Sequence, residues 1–346
     1  MTQLTTNPRG LLTLTGSLLT QAEPSEALSL VNVTGQSGGG LVVSGRDALQ
    51  LVEHLKRRGY PGPLLADRQR YKGNRRTLAS QPFDADWISR QRRLGLPAII
   101  PDAGYVARGD LPGLRLVLQR SAQIPGAVAL LALANWWMHG PGLKLLVPEL
   151  RDAGMPVALV LEHPKDPLSV SRILRGTVAV LRAGVTMLML RCDPSALGLL
   201  ANGALAAAYG TRSSIRHLYP VSGGGGGGNS KARESALWPS GMALHYRDLL
   251  YDAVTASPAD PCWVCSCPVC GGQRLDRLDM AQLGEVRAHN SASLLEIRAE
   301  MAGIPPARRP QWWARRCRDA ELVHAAVDAG PVALACPKSL TWWQQV

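Results

Sequence analysis

The chain has 346 residues, 46% of them hydrophobic, enough to bury a large core, so it reads as a folded, soluble protein of one barrel-sized domain or two smaller ones. Lys and Arg outnumber Asp and Glu 38 to 26, a net charge of +12, with arginines clustered over 68–76, 90–93 and 308–318. That excess favours contact with phosphates and hence with nucleic acid, although a GC-rich genome also raises arginine content. No early apolar run has the flanks of a secretory signal, and the stretch Gly126 to Ala134 is too short to span a bilayer, so the expectation is a cytoplasmic protein with no membrane partner.

In chain order, residues 1–26 read as a leader, disordered or loosely docked, because their Thr- and Leu-rich sequence alternates only weakly. Residues 27–240 then alternate short apolar runs with helical patterns, the rhythm of βα units. The predicted strands are Gly40 to Val43, Pro63 to Ala66, Ala98 to Ile100, Ala127 to Leu133, Val157 to Leu161, Thr186 to Leu190 and Ala204 to Tyr209. Between them, helices are predicted over Asp47 to Arg58, Asp84 to Leu94 and Pro167 to Arg182, the first opened by the capping signal Ser44-Gly-Arg-Asp47. Strands this apolar are buried on both faces, and seven units approach a (β/α)8 barrel of the TIM type; a doubly wound open sheet is the competing arrangement.

The run Gly223 to Gly228 is low-complexity loop and lacks the Lys-Ser/Thr pair of a phosphate-binding P-loop. Residues 241–310 hold the cysteine-rich segment and a following helix, and residues 311–346 form a basic, Trp-rich C-terminal segment. The pairs Trp136-Trp137, Trp312-Trp313 and Trp342-Trp343 each suggest one ring in the core and one at an interface.

Four of the seven cysteines, Cys262, Cys265, Cys267 and Cys270, fall within nine residues, which indicates a metal site in a reducing compartment and not a disulfide framework. Cys192, Cys317 and Cys336 are scattered, each a small buried side chain or a free thiol. Thiolates at this spacing can converge on one cation, and Zn2+ favours a closed tetrahedron of sulfur and nitrogen. The spacing suits zinc better than an iron-sulfur cluster. The residues alone leave two ligand sets open: all four cysteines, or three cysteines with His289.

Cys265-Ser-Cys-Pro-Val-Cys270 followed by His289-Asn290 resembles the Cys-x-Cys-x2-Cys knuckle and His-Asn pair of the tRNA-guanine transglycosylase superfamily, including its DNA-modifying deazaguanine branch. Weaker likenesses follow in the family's order: Leu64-Leu-Ala-Asp67, the segment Phe83 to Gly95, Ile99-Ile-Pro-Asp102, and Gly184 to Ala208 leading into Gly210-Thr-Arg-Ser-Ser214. The resemblance spans about residues 63–301. It implies a zinc-containing (β/α)8 barrel that exchanges guanine for a 7-deazaguanine in tRNA or DNA, through carboxylate chemistry on a base drawn from its stack. It assigns the structural zinc to Cys265, Cys267, Cys270 and His289, with Cys262 as an alternative ligand. It makes Asp67 the proton-handling carboxylate and Asp102 the residue that hydrogen-bonds the purine. Arg212, Arg216 and His217 become substrate-binding candidates, and a homo- or hetero-oligomer is implied. One departure is serious: where the family carries its nucleophilic aspartate this chain reads Leu205-Ala-Ala-Ala-Tyr-Gly-Thr211, with no acid between Asn202 and Arg233. Either Asp67 or Asp193 takes that role, or the protein is a non-catalytic nucleic-acid-binding subunit. An unrelated zinc-ribbon protein is the third reading.

Overall fold

A computed structural model describes residues 8–221, 233–328 and 332–346; the glycine run predicted as a loop lies outside the described residues. Eight parallel strands form one curled sheet, a TIM-like barrel surrounded by helices. They are β1 (Ser17–Ala22), β2 (Leu41–Ser44), β3 (Leu64–Asp67), β4 (Tyr105–Val106), β5 (Ala129–Ala134), β6 (Val157–Glu162), β7 (Met187–Cys192) and β8 (Ala206–Gly210). Their spatial order is β3-β2-β1-β8-β7-β6-β5-β4. Nearly every strand residue is buried, as expected of parallel strands covered by helices on one face and by their own barrel on the other.

The first strand corrects the reading of residues 1–26 as a leader. β1 lies between β2 and β8, with Thr20 opposite both Leu41 and Tyr209. Its polar residues Ser17, Thr20 and Gln21 are buried, which hid the strand from an apolar-run reading. Six predicted strands appear within a few residues of their expected limits. The seventh, Ala98 to Ile100, is reduced to one bridge between Ile99 and Ala127, because Pro97 and Pro101 flank it and Pro101 has no N–H to extend a ladder.

Helices α1 (Ala48–Arg57), α2 (Ala85–Arg93), α3 (Leu111–Ala122), α4 (Gly140–Ala153), α5 (Ser171–Arg182), α6 (Leu197–Ala201) and the short α7 (Ser213–Arg216) follow β2 to β8 in turn. Asp84 caps α2 by accepting from the backbone N–H of Asp86 and Trp87. The predicted cap of α1 is not made: Asp47 has no side-chain cap bond, and the Ser44 hydroxyl accepts from Gln21 Nε2 on the neighbouring strand β1.

No ladder among the described residues joins β3 to β4, and at Ile100, just before β4, a helix side chain stands in for a ladder partner. The buried amide of Gln91 on α2 donates to the Ile100 carbonyl at 2.9 Å and accepts from its N–H at 3.0 Å. Gln91 thereby supplies both bonds a neighbouring peptide would have made, and buried backbone groups stay paired.

After the barrel come the hairpin β9 (Ser235–Trp238) and β10 (Ala243–Tyr246), α8 (Arg247–Ala256), and a two-residue hairpin of β11 (Val264–Cys265) with β12 (Gln273–Arg274). The 20-residue α9 (Leu283–Ala302) then returns to the barrel. Arg298 Nε donates to the Gly16 carbonyl at 2.8 Å and Ser291 meets Thr20 at 3.3 Å, so α9 is fastened to β1. Helices α10 (Arg309–Asp328) and α11 (Lys338–Trp343) pack against α6, where a Cβ on Gly198 would fall 2.4 Å from both Trp313 and Trp343. In all three tryptophan pairs the second ring is buried and the first is part-exposed, as the sequence suggested. No described helix is long and apolar enough to cross a membrane.

Candidate metal centre and barrel mouth

Cys265 lies on β11, and Cys267 and Cys270 in the tight turn that follows. The Cys267 carbonyl accepts from the N–H groups of Cys270 and Gly271, and the Cys265 carbonyl from Gly272. Gly271 and Gly272 both have positive φ, +60° and +84°, a backbone that side-chain-bearing residues rarely adopt. The turn thus presents three buried sulfurs to one face of α9, where His289 completes the group.

His289 Nδ1 lies 3.7, 3.5 and 3.3 Å from the sulfurs of Cys265, Cys267 and Cys270. A tetrahedral ion with Zn–S about 2.3 Å and Zn–N about 2.1 Å would place sulfur and nitrogen about 3.6 Å apart. The ring's other nitrogen, Nε2, is 2.8 Å from the Leu237 carbonyl and donates to it, which leaves the Nδ1 lone pair facing the sulfurs. The donor set, its spacing and its oriented histidine fit a metal ion such as zinc.

The adjacent Asn290 accepts from Leu237 N at 2.7 Å and donates to the Ser235 carbonyl at 2.9 Å. Both members of the His-Asn pair therefore hold β9, one as ligand support and one as a peptide mimic. Cys262, the alternative ligand, is not in the cluster: Asp260 fixes its backbone N–H at the start of a separate turn, and its thiol is pushed up to about 12 by burial and by Asp260. Cys192 and Cys317 are buried, and Cys336 is exposed.

At the carboxyl ends of the strands, the face where barrel chemistry is placed, the sequence-selected acids are all buried or nearly so. Asp67, ending β3, accepts from Tyr71 Oη at 2.6 Å, Gln21 Nε2 at 3.0 Å and Gln69 N at 2.9 Å. Burial raises its pKa against the opposing pull of Tyr71 and Arg191. Asp102 accepts from Arg70 Nη1 at 2.8 Å, Arg68 Nη1 at 3.2 Å and Asp84 N at 2.8 Å. The two carboxylates share no hydrogen-bond partner among these contacts.

Arg212 pairs with Glu23 and Glu26. Arg216 and His217 both close on Asp193, at 2.9 and 2.8 Å. Burial works against the Asp193 charge, but His217 and Arg216 outweigh it and hold that carboxyl below its usual range. Neighbouring Asp166 is pushed up to about 7 by burial and by the Asp193 charge. The three basic residues therefore lie together on the β7–β8 side, each engaged within the chain.

The segment following β3 enters the mouth. Tyr71 is fully buried, and Arg76 pairs with Glu162 at 2.6 Å while lying 3.4 Å over the Tyr105 ring. Two grooves lie at the opposite end: cavities of about 540 and 600 Å3 share Thr15, Thr186 and Leu205, which precede β1, β7 and β8.

Three mouth residues escaped the sequence reading: Gln21, Tyr71 and Arg191. Arg191 carried the available signal, a charged residue closing the apolar run of β7, while Gln21 sat in the segment taken for a leader.

No family model and no curated protein matches the chain. Among solved structures, it is similar to the carboxyl transferase domain of Rhizobium etli pyruvate carboxylase at 12% identity and a TM-score of 0.38. The match covers 94% of this chain and 58% of that one, so the chain spans little more than half of that neighbour's length. A likeness at this level speaks to neither activity nor substrate.

Proposed function

We propose that this chain is a zinc-stabilised, nucleic-acid-binding barrel of the transglycosylase type that does not itself exchange the base and acts as the non-catalytic subunit of such an enzyme. The observation that carries the reading is the state of the mouth carboxylates. A nucleophile or proton acceptor needs a carboxylate oxygen free to meet substrate. Asp67, Asp102 and Asp193 each accept two or more internal hydrogen bonds or ion pairs, and β8 ends in Ala206-Ala-Ala-Tyr-Gly210. Tyr71, from the segment after β3, is fully buried against Asp67, which supports the same reading.

Nucleic acid is supported by the +12 charge and by Arg46 and Arg75, exposed in the segments after β2 and β3 with no ion-pair partner among the described residues. The metal is structural zinc: Cys265, Cys267, Cys270 and His289 supply four protein donors and leave no open position for a water. Reduced thiols suit the cytoplasm. Exposed Tyr246, Leu249, Met280 and Leu283, all in the metal-binding region, suit a partner chain.

The test is incorporation of labelled guanine, and separately of a 7-deazaguanine, into bulk tRNA and duplex DNA by purified protein with one zinc per chain. We expect no incorporation, with salt-sensitive binding of at least one polymer. Incorporation that disappears in Asp67→Asn would overturn the non-catalytic reading and restore base exchange.

A further inference from the structure

Arg191, next to last in β7, lies in the left-handed backbone region, φ +57°, with 2% of its surface exposed. Its Nη2 donates to the Ser214 and His217 carbonyls at 2.6 and 2.7 Å, and its backbone N–H is held by Gln21 Oε1 at 2.7 Å. The remaining guanidinium nitrogens, Nε and Nη1, are buried beside the Tyr71 hydroxyl and make no hydrogen bond of ordinary geometry among the described residues. A second residue shares this condition: Gln69, at φ +59° and 8% exposed, leaves its Nε2 unpartnered while its Oε1 holds Lys72 Nζ at 3.0 Å.

Above this floor stand two part-exposed cations. The side chains of Lys72 and Arg212 are 36% and 34% exposed, and Glu23 bridges them, 3.7 Å from Lys72 and in direct contact with Arg212. Burial and the charges of Arg191 and Arg212 push the Lys72 ammonium below its usual range against the opposing pull of Glu23 and Asp67, so the three cations act on one another. Ordered water can satisfy stray N–H groups. It does not relieve that repulsion, whereas a phosphate oxygen does both.

From this geometry we infer a site for one phosphate group, with Arg191 and Gln69 as its floor and Lys72 and Arg212 as its rim. Glu23 is the internal counter-ion that an incoming phosphate displaces. The inference does not require a polymer: the same donors would take inorganic phosphate, a mononucleotide or a backbone phosphate.

Calorimetric titration of the full chain with inorganic phosphate at low ionic strength tests it. The wild type is expected to bind one phosphate. Glu23→Gln should bind it at least threefold more tightly, Lys72→Met at least tenfold more weakly, and Arg191→Gln not at all. Should Arg191→Gln fail to fold, the opposite shifts of the two rim variants decide. No binding by wild type and Glu23→Gln, or equal binding by wild type and both rim variants, overturns the site. Competition by a dinucleotide assigns the phosphate to a nucleic-acid backbone; competition by a 5′-mononucleotide alone keeps the site as a small-molecule site and counts against the nucleic-acid reading.

Discussion

At the metal cluster, three sulfurs and one imidazole nitrogen are gathered with a lone pair each left over, and the surrounding bonds go to orienting them: Leu237 holds the back of His289, and Gly271 and Gly272 shape the cysteine turn. At the barrel mouth, a comparable density of polar side chains is arranged in the opposite way. Asp67, Asp102 and Asp193 have their oxygens committed to Tyr71, Arg70 and Arg216, among others, and the donors left over include those of Arg191 and Gln69. Leftover acceptors ask for a cation and leftover donors for an anion. Reading which atoms remain unspent therefore says more about function than counting the charged residues that line a face.

The contrast breaks most readily at the metal. Structural zinc binds with an apparent free energy of about 10–16 kcal/mol in small domains, and that energy is folding energy. Cys267→Ser is expected to lose the metal and unfold residues 235–302, whereas Cys262→Ser should keep one zinc per chain; metal analysis with thermal unfolding separates them. A Cys262→Ser protein without zinc would move the fourth ligand back to sulfur.

A smaller effect probes the two bonds that Gln91 makes to Ile100. Gln91→Leu leaves the buried N–H and carbonyl of Ile100 without those partners, at a cost of about 2–3 kcal/mol, with Trp87 Nε1 still donating to that carbonyl. Denaturant unfolding should show this loss without a change in zinc content.

The smallest effect concerns Asp166. Its folded pKa of about 7 stands above the ordinary aspartate value, so the folded state binds that proton more tightly than the unfolded chain. The resulting stabilisation is complete below the ordinary value and is lost as pH rises through 7. Its part exposure holds the effect to about 1–2 kcal/mol. Asp166→Asn should flatten the fall in Tm between pH 5 and pH 8; an unchanged slope would mean that another group carries it.

How far the sequence reaches follows the same division. β2, β3 and β5 to β8 were legible because their residues are apolar and consecutive, and burial needs no partner of particular identity. β1 was not, since Thr20 and Gln21 are tolerated inside only through Ser291, Ser44 and Asp67, all distant in sequence. The cysteine spacing announced a metal site, but the choice between Cys262 and His289 waited on where α9 docks. Likewise Asp67 and Asp102 were placed at the mouth from strand ends alone. Their engagement by Tyr71, Arg68 and Arg70 depends on how the segment after β3 turns back, and no periodicity records that turn.

The position of β1 also sets an order of events. It is synthesised before the other seven strands of its sheet, yet one of its edges belongs to β8 and its outer face to α9. Until both have emerged, a growing chain holds β1 with only β2 beside it and its buried polar side chains lacking Ser291. Closure of the sheet and arrival of the metal-bearing helix are then late, long-range steps that complete a strand made well before them. Contacts so far apart in sequence make for slow folding and a prolonged exposed edge, so the nascent barrel is most vulnerable to misassembly just before its metal-binding region leaves the ribosome.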